Sequence, residues 1–348
     1  MYSGNTPSRL NKEHFKGTVN WISSGELKEH YIYSSKEQIS EEAAKSLKLL
    51  PVGTFVIAIY GLEAEGVRGT GSITQEPSTI SQACMSFIPK GVIENEFLYS
   101  WYKKHGNVIG IRYAQGTKQQ NLSYDILEKF RIAYPNTKEQ EKLNKFISLL
   151  DERISTQNKI IDKLQSLIKG IRHDLFKDIQ GEVLALSNIA DIYQPQTISS
   201  SDLTTEGYWV YGANGIIGKY KEYNHETEQI CITCRGNTCG TVNYTQPKVW
   251  ITGNSMVINT DKYQRQVNKR FLFHYLSAYN FKSIVSGSGQ PQIVRTPLEK
   301  IKVTLPSIEK QVQIAHGIDL ILTKIETECT VLGFLESQKQ YLLRQMFI

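Results

Sequence analysis

The sequence predicts an α+β protein: two similar mixed β-rich domains, joined by two long helices that form an antiparallel coiled coil with pseudo-two-fold symmetry. Three observations lead there. The first is a repeat 171 positions apart. Pro135 matches Pro306, Gln140 matches Gln311, Ile147 matches Ile318, Ile154 matches Ile325, Leu164 matches Leu335 and Phe176 matches Phe347. Upstream, Gly116 matches Gly287, Gln119 matches Gln290, and Leu127-Glu128-Lys129 matches Leu298-Glu299-Lys300. The second is an unbroken heptad pattern after each proline, and the third is a run of short β-like segments and glycine-rich turns before each. Solenoid units span roughly 20–50 residues, so a period this long is a duplicated globular domain plus helix. The boundaries read as a domain over 1–134, a helix over 135–178, a domain over 179–305 and a helix over 306–348. Two similar halves point to a target that also comes in two halves.

In the first half, Thr54–Tyr60 reads as a strand followed by the glycine-rich Gly61–Gly71. Then come Ala83–Ile88, a short helix over Glu96–Lys104, a loop with Gly116, the segment Leu122–Lys129 and a strand running into Pro135. The second half answers with Gln229–Cys234, Arg235–Gly240, Ser255–Asn259, Lys269–Tyr279, Gly287, Ile293–Lys300 and Pro306. Order agrees while loop sequence does not, as expected when two copies of one scaffold read different targets. The lead-in Leu184–Tyr193, a short helix or strand, has no counterpart before Ser3, so the first lead-in is either naturally short or lost.

The helical segments are the most regular part. Leu143, Ile147, Leu150, Ile154, Gln157, Ile161, Leu164, Ile168, Ile171 and Leu175 follow a strict 4-3 spacing. That averages 3.5 residues per turn, keeps one seam on one face and demands a partner helix. Asn136 with Glu139, or Thr137 with Gln140, can cap the start. At 1.5 Å per residue the helix runs on the order of 60 Å, too long to hide in one small domain. The second seam holds the register with Ile314, Ile318, Ile321, Ile325, Glu328, Leu332, Leu335, Lys339, Leu342 and Met346. The two seams bury each other in the economical reading; pairing with another subunit's helix is the alternative. The polar members Gln157 and Glu328 fix register at some cost in stability.

Hydrophobic content of 40% and charged content of 21% describe a globular protein with a core. No apolar run reaches the roughly 18–20 residues needed to cross a bilayer, and Met1-Tyr2-Ser3-Gly4 lacks a signal peptide's features. The expectation is a cytoplasmic protein without a membrane partner. Five cysteines, an odd number, argue against a disulfide framework. Cys231, Cys234 and Cys239 have a zinc-like gap but no fourth ligand, and Cys231 and Cys234 would face opposite sides of a strand. No metal site is expected. Nor is there a nucleophile elbow, Walker loop or paired-histidine motif, so the chain reads as catalytically empty.

Net charge is +6, spread as +2, +2, +3 and −1 over the four segments. A basic excess of this size is compatible with nucleic acid without demanding it. DNA is read by amides and guanidiniums on base edges, with hydroxyls and lysines on phosphates. Loop residues that supply these groups are Asn5, Thr6, Ser8, Arg9, Arg68, Arg112, Lys118, Gln119, Gln120 and Asn121 in the first half. In the second half they are Tyr211, Asn214, Lys219, Arg235, Asn237, Gln290, Gln292 and Arg295. Trp21 and Trp209 read as core or platform residues.

At this point the residues resemble a known family, the specificity subunit of type I restriction–modification systems. The likeness rests on Ser3-Gly4-Asn5-Thr6-Pro7-Ser8 followed by Gly17 and Trp21-Ile22, and on Leu127-Glu128-Lys129 leading to Pro135 and Glu139-Gln140. It rests equally on Leu298-Glu299-Lys300 leading to Pro306 and Gln311, and on the closing Leu342-Leu343-Arg344-Gln345-Met346-Phe347. Gln194-Pro195-Gln196-Thr197 departs from the first half's pattern. The resemblance implies two target-recognition domains, each reading half of a split sequence in double-stranded DNA. The helices would set half-site spacing and dock two methyltransferase (M) subunits, with restriction (R) subunits joining through the complex. It implies no cofactor in this chain, with S-adenosylmethionine, ATP and Mg on the partners. A type IIB-like or modification-only system is the nearest alternative; a coiled-coil scaffold with protein- or carbohydrate-binding ends is the alternative from another class.

Overall fold

A computed structural model describes residues 1–347 apart from Asn214 and Ser288. Its contacts divide the chain into two compact units, Met1–Gln157 with Val331–Ile348, and Asn158–Thr330. The division falls inside each long helix.

Unit 1 is built on Phe55–Ala58, an apolar run buried along its whole length at the centre of a five-stranded sheet. The order is Tyr2–Ser3, Cys84–Phe87, Phe55–Ala58, Gly71–Thr74 and Tyr31–Ile32, antiparallel except for the last pairing. A second sheet pairs Val19–Ile22 with Gln38–Ile39 and, in parallel, with Ser78–Ile80. The helix Asn95–Tyr113 runs further than Glu96–Lys104 because Ile109 and Gly110 are also buried. Its Phe97, Tyr99, Trp101 and Tyr102 share one core with Phe55, Ile57 and Ile73.

Unit 2 repeats the plan. A four-stranded antiparallel sheet runs Asp191–Tyr193, Ser255–Asn259, Ile230–Thr233, Val242–Tyr244. A three-stranded sheet pairs Tyr208–Gly212 with Gly215–Tyr220 and, in parallel, with Trp250–Ile251. Phe271, Leu272 and Leu276 of helix Lys269–Ala278 join Ile230, Ile232 and Ile258 in the main core. The lead-in is a strand, Glu182–Ala185, a turn over Leu186–Asn188, and the edge strand Asp191–Tyr193. Glu182–Ala185 pairs with Lys302–Leu305, the strand that runs into Pro306. In unit 1 the expected strand into Pro135 does not form: residues 131–134 carry no strand pairing. A strand needs a hydrogen-bonded neighbour, and no described residue pairs with this segment.

The long helices span Thr137–Lys177 and Ile308–Met346. None of the twenty seam positions is exposed, whereas Phe146, Leu149, Phe334 and Tyr341 just off the seam are. Within unit 1 the two helical segments run antiparallel. Leu143 and Ile147 share a core with Leu343, Met346 and Phe347, and Lys339 forms an ion pair with Asp151. Within unit 2, Phe176 joins Ile314 and Ala315 in one core, while Arg172 and Asp319 meet on His274, again antiparallel. Lys339, an interruption of the seam in sequence, thus has its charge matched.

Each long helix is pinned to its domain by one buried glutamine. Gln140 Nε2 donates to the Val92 and Pro135 carbonyls, both at 2.8 Å, and its Oε1 accepts from Glu94 N at 2.9 Å. Gln311 Nε2 donates to the Gln266 and Pro306 carbonyls at 3.0 and 2.9 Å, and its Oε1 accepts from Asn268 N at 2.8 Å. The same three bonds recur because the amide faces the same turn in both copies. Asn136 caps the first helix, accepting from Glu139 N at 3.1 Å. No helix among the described residues is long and apolar enough to cross a membrane.

Candidate nucleic-acid interface

In unit 1 the polar loops leave the five-stranded sheet at one end, where Ser3, Ala58, Gly71 and Cys84 terminate or begin strands. A relay of hydrogen bonds ties them together. Thr6 Oγ1 donates to Gln82 Oε1, Ile59 N to the Ala83 carbonyl at 2.9 Å, and Leu122 N to the Ile59 carbonyl at 2.9 Å. Next to it, Gln115 and Asn121 exchange both backbone bonds (2.8 and 2.9 Å), and Asn121 also bridges Tyr60. The hairpin closes at Gly116, whose φ is +103° and where a Cβ would collide with the Gln119 carbonyl. Such a turn needs glycine. Lys118 and Gln119 are exposed at its tip.

Arg68 is held against this hairpin: Nη2 donates to Gln120 Oε1 at 2.8 Å, and its stem lies over Gly110, where a Cβ would not fit. Glu63 accepts from Gln120 N at 2.8 Å. Arg112 is exposed at the end of the covering helix. Arg68, Lys118, Gln119, Gln120 and Asn121 are therefore brought together. Asn5, Thr6 and Ser8 sit across the same sheet end, with Asn5 N donating to the Ile80 carbonyl at 3.0 Å. Arg9 is engaged elsewhere, in a two-pronged pair with Glu37 (2.9 and 2.7 Å) over the rings of Phe15 and Trp21. Its bond to Glu37 raises the Arg9 pKa and lowers that of Glu37.

Unit 2 places the same hairpin at the same end of its sheet. Ser286 and Gln292 exchange backbone bonds at 2.8 Å, Gln292 bridges Arg235, and the closing Gly287 has φ +92°. Gly236 N donates to the Pro291 carbonyl at 2.9 Å, and Ile293 N to the Cys234 carbonyl at 3.0 Å. Arg235 thus stands where Tyr60 stands in unit 1, and Gln292 where Asn121 stands. A cleft of about 370 Å³ opens beside them, lined by Gln194, Arg235, Gln292 and Arg295 over Met256 and Ile293. Arg235 and Asn237 are exposed, and Arg235 makes no ion pair among the described residues. Arg295 reaches Glu299 at 2.7 Å and Gln290 is exposed at the hairpin.

Two second-half residues are placed differently from the sequence expectation. Tyr211 lies in a strand, 8% exposed, packed with Cys231, Val249, Ile251 and Val257, so its side chain is not on the loop surface. Its strand is paired on both sides, and the register shift between Val210 and Tyr211 leaves both residues buried. Lys219 lies on the adjacent strand with its ammonium 4.7 Å from the Trp209 ring. Trp209 is 40% exposed and is a platform, whereas Trp21 is buried. Asn214 lies outside the described residues. Sequence reasoning passed over Tyr60, Gln82 and Gln194; aligning Tyr60 with Arg235 through the duplication would have found the first.

Four further titratable groups of unit 2, Cys231, Cys234, His225 and His274, are buried. Cys231 and Cys234 face different cores, and burial pushes both thiols up. His225 and His274 are buried, and desolvation lowers each to about 4. Neutral His274 accepts from Arg172 at 2.9 Å on Nδ1 and faces Asp319 at 2.8 Å on Nε2.

Two copies of one β-rich fold, each offering a hairpin-and-loop surface and each carrying half of two long helices, define a duplicated two-domain architecture. The chain belongs to the type I restriction modification DNA specificity domain family, whose model matches residues 2–166 and 180–333. It is 24% identical over 356 residues to the type I restriction enzyme EcoprrI specificity subunit of Escherichia coli, covering 92% of this chain and 84% of that protein. The fold is similar to the crystal structure of the type I system S subunit of M. genitalium, with TM-score 0.63, 18% identity, and coverage of 100% of this chain and 93% of the other. It is also similar, with TM-score 0.62 and 14% identity over 99% of this chain and 98% of the other, to a chain from a study of complex assembly in the type I system.

Proposed function

We propose that this chain is the DNA-specificity subunit of a type I restriction–modification complex, each unit reading one half of a bipartite target. The observation that carries this reading is the repeated hairpin frame with different side chains on it: Tyr60 against Arg235, Asn121 against Gln292, Arg68 against the cleft of Gln194 and Arg295. A shared backbone frame supplies the same approach to a DNA groove, and the differing amides and guanidiniums select different base edges. Asn5, Thr6, Ser8, Arg68, Arg112, Lys118, Gln119, Gln120 and Asn121 form the first reading surface. Arg235, Asn237, Gln290, Gln292 and Arg295, with Lys219 at its margin, form the second. The chain itself carries out no chemistry. Methyl transfer, with S-adenosylmethionine, belongs to two methyltransferase subunits; ATP and Mg belong to restriction subunits. The helices set half-site spacing, and their exposed Phe146, Leu149, Leu320 and Phe334 are apolar surface of the kind that marks protein interfaces.

Co-expression with the methyltransferase subunits, followed by methylome sequencing, tests the reading. One split sequence with two half-sites and a fixed gap is expected. A continuous target, or methylation independent of this chain, would refute it.

A further inference from the structure

Gln194-Pro195-Gln196-Thr197 departs from the first half's pattern, and the fold of unit 2 gives the Gln194 amide a fixed polarity. Its Nε2 donates to the Gly253 carbonyl and lies 3.9 Å from Cys234 Sγ. A carbonyl only accepts, so the amide cannot turn its oxygen that way. The approach is close: a Cβ on Gly253 would collide with Thr197 Oγ1 and the Pro195 carbonyl. With the nitrogen engaged, Oε1 is the free end of an exposed side chain, and it can only accept.

Arg235 lines the same cleft. It follows Cys234, the residue that Gln194 touches, and its exposed guanidinium has no ion pair or side-chain hydrogen bond among the described residues. The other polar side chains of the cleft select less. Arg295 is held by Glu299 at 2.7 Å, and the exposed Gln292 amide can present either end. Buried Met256 and Ile293 bring no polar side-chain group to compete. Unit 1 has neither Arg nor Gln at these places. There Ser3 follows Tyr2 on the edge strand as Gln194 follows Tyr193, and Tyr60 stands for Arg235.

We infer that Arg235 and Gln194 together read one G·C base pair in unit 2's half-site, Arg235 on the guanine and Gln194 on its cytosine; this rests on the DNA-reading role proposed for the chain. In the major groove guanine offers two acceptors, N7 and O6, and its cytosine offers one donor, the N4 amino group. The guanidinium supplies two donors and Gln194 Oε1 one acceptor, which complements that edge group for group. An A·T pair exchanges the last two groups, setting donor against donor and acceptor against acceptor. A reversed pair sets the cytosine amino group against the guanidinium. Each mismatch leaves polar groups desolvated and unpaired, which costs more than the bond itself is worth. The single hydroxyls of Ser3 and Tyr60 donate or accept equally, so the same two positions in unit 1 carry no such preference.

The test uses the complex of this chain with its methyltransferase subunits, on duplexes carrying the split target that methylome sequencing defines. 7-Deazaguanine, which lacks N7, replaces each guanine in turn, and 2-pyrimidinone, which lacks the amino group, replaces each cytosine. One G·C pair should respond at both bases, with affinity falling about tenfold for the bond to the charged guanidinium and about fivefold for the neutral one. Arg235→Ala should become indifferent to 7-deazaguanine at that pair, and Gln194→Met to 2-pyrimidinone. Each readout is a ratio within one variant, so a general loss of stability cancels. Three results overturn the inference while a split target stands: analogue responses that survive both substitutions, Arg235 and Gln194 answering to different base pairs, or an Arg235→Ala loss equal on all sequences with a shallower salt dependence, the mark of a phosphate contact. No split target at all overturns the DNA-reading role, and the inference with it.

Discussion

Replacing Gln311 tests the link between sequence repeat, helix docking and function. Its amide makes three hydrogen bonds, to the Gln266 carbonyl, the Pro306 carbonyl and Asn268 N, in a site 1% exposed. Gln311→Leu fills similar space but removes all three. At a net value near 1 kcal/mol each, the loss is about 3 kcal/mol, part of it the orphaned Asn268 amide. For a unit of this size that corresponds to a fall in Tm of roughly 6–12 °C. Gln311→Glu should be worse at neutral pH, because a carboxylate would face two carbonyl oxygens. The folded state would then raise that carboxyl's pKa, so the extra penalty is small near pH 4 and grows as pH rises. Calorimetry at pH 4.5 and 7.5, with amide exchange along Lys269–Ala278, reads both effects. A Tm within a degree of wild type for Leu, or a Glu variant with no pH trend, would refute the account. In the assembled complex, Gln311→Leu should also relax the required gap between half-sites, since Gln311 fixes how the second helix leaves its domain.

Four further outcomes are expected. Arg235→Ala should weaken DNA binding by about 1–3 kcal/mol and relax only one half-site, as read by methylation of degenerate targets; equal loss at both halves would oppose two separate reading surfaces. Inserting one heptad into both long helices adds about 10 Å, close to three base pairs, and should lengthen the spacer without altering either half-sequence. His274 is neutral when folded (pKa about 4) and titrates near 6.5 when unfolded, so its contribution is complete above pH 6.5 and lost as pH falls toward 4; His274→Gln should flatten the acid branch of unit 2's melting curve. Asp151→Ala leaves Lys339 half-buried without its partner, so unit 1 should melt lower, and Asp151→Ala with Lys339→Met should recover much of the loss.

The long helices were legible in sequence because a 4-3 spacing specifies a seam whatever the partner is. The central strands were legible for the same local reason: TFVIAIY and QICITC are apolar on both faces. The reading surface was legible only in outline. Glu37 claims Arg9 from 28 positions away, and no local pattern announces that. Tyr211 looked like a loop tyrosine because two glycines follow it closely, yet its strand pairs on both sides and turns it inward. Gln194 and Gln82 become visible as candidates only once strand pairing has placed their loops together. The strand expected before Pro135 failed for a non-local reason: its sequence suits a strand, but no described residue pairs with it.

The hairpins that close at Gly116 and Gly287 are held by main-chain bonds in which the side chains of Tyr60, Asn121, Arg235 and Gln292 take no part. Exchanging Tyr60, Asn121, Arg235 or Gln292 therefore alters what the surface touches while leaving its scaffold nearly untouched; surface changes of this kind usually cost within about 0.5 kcal/mol. Stability and specificity are written in different atoms. A protein arranged this way can drift from one target to another through folded intermediates, each of them a working subunit for some sequence.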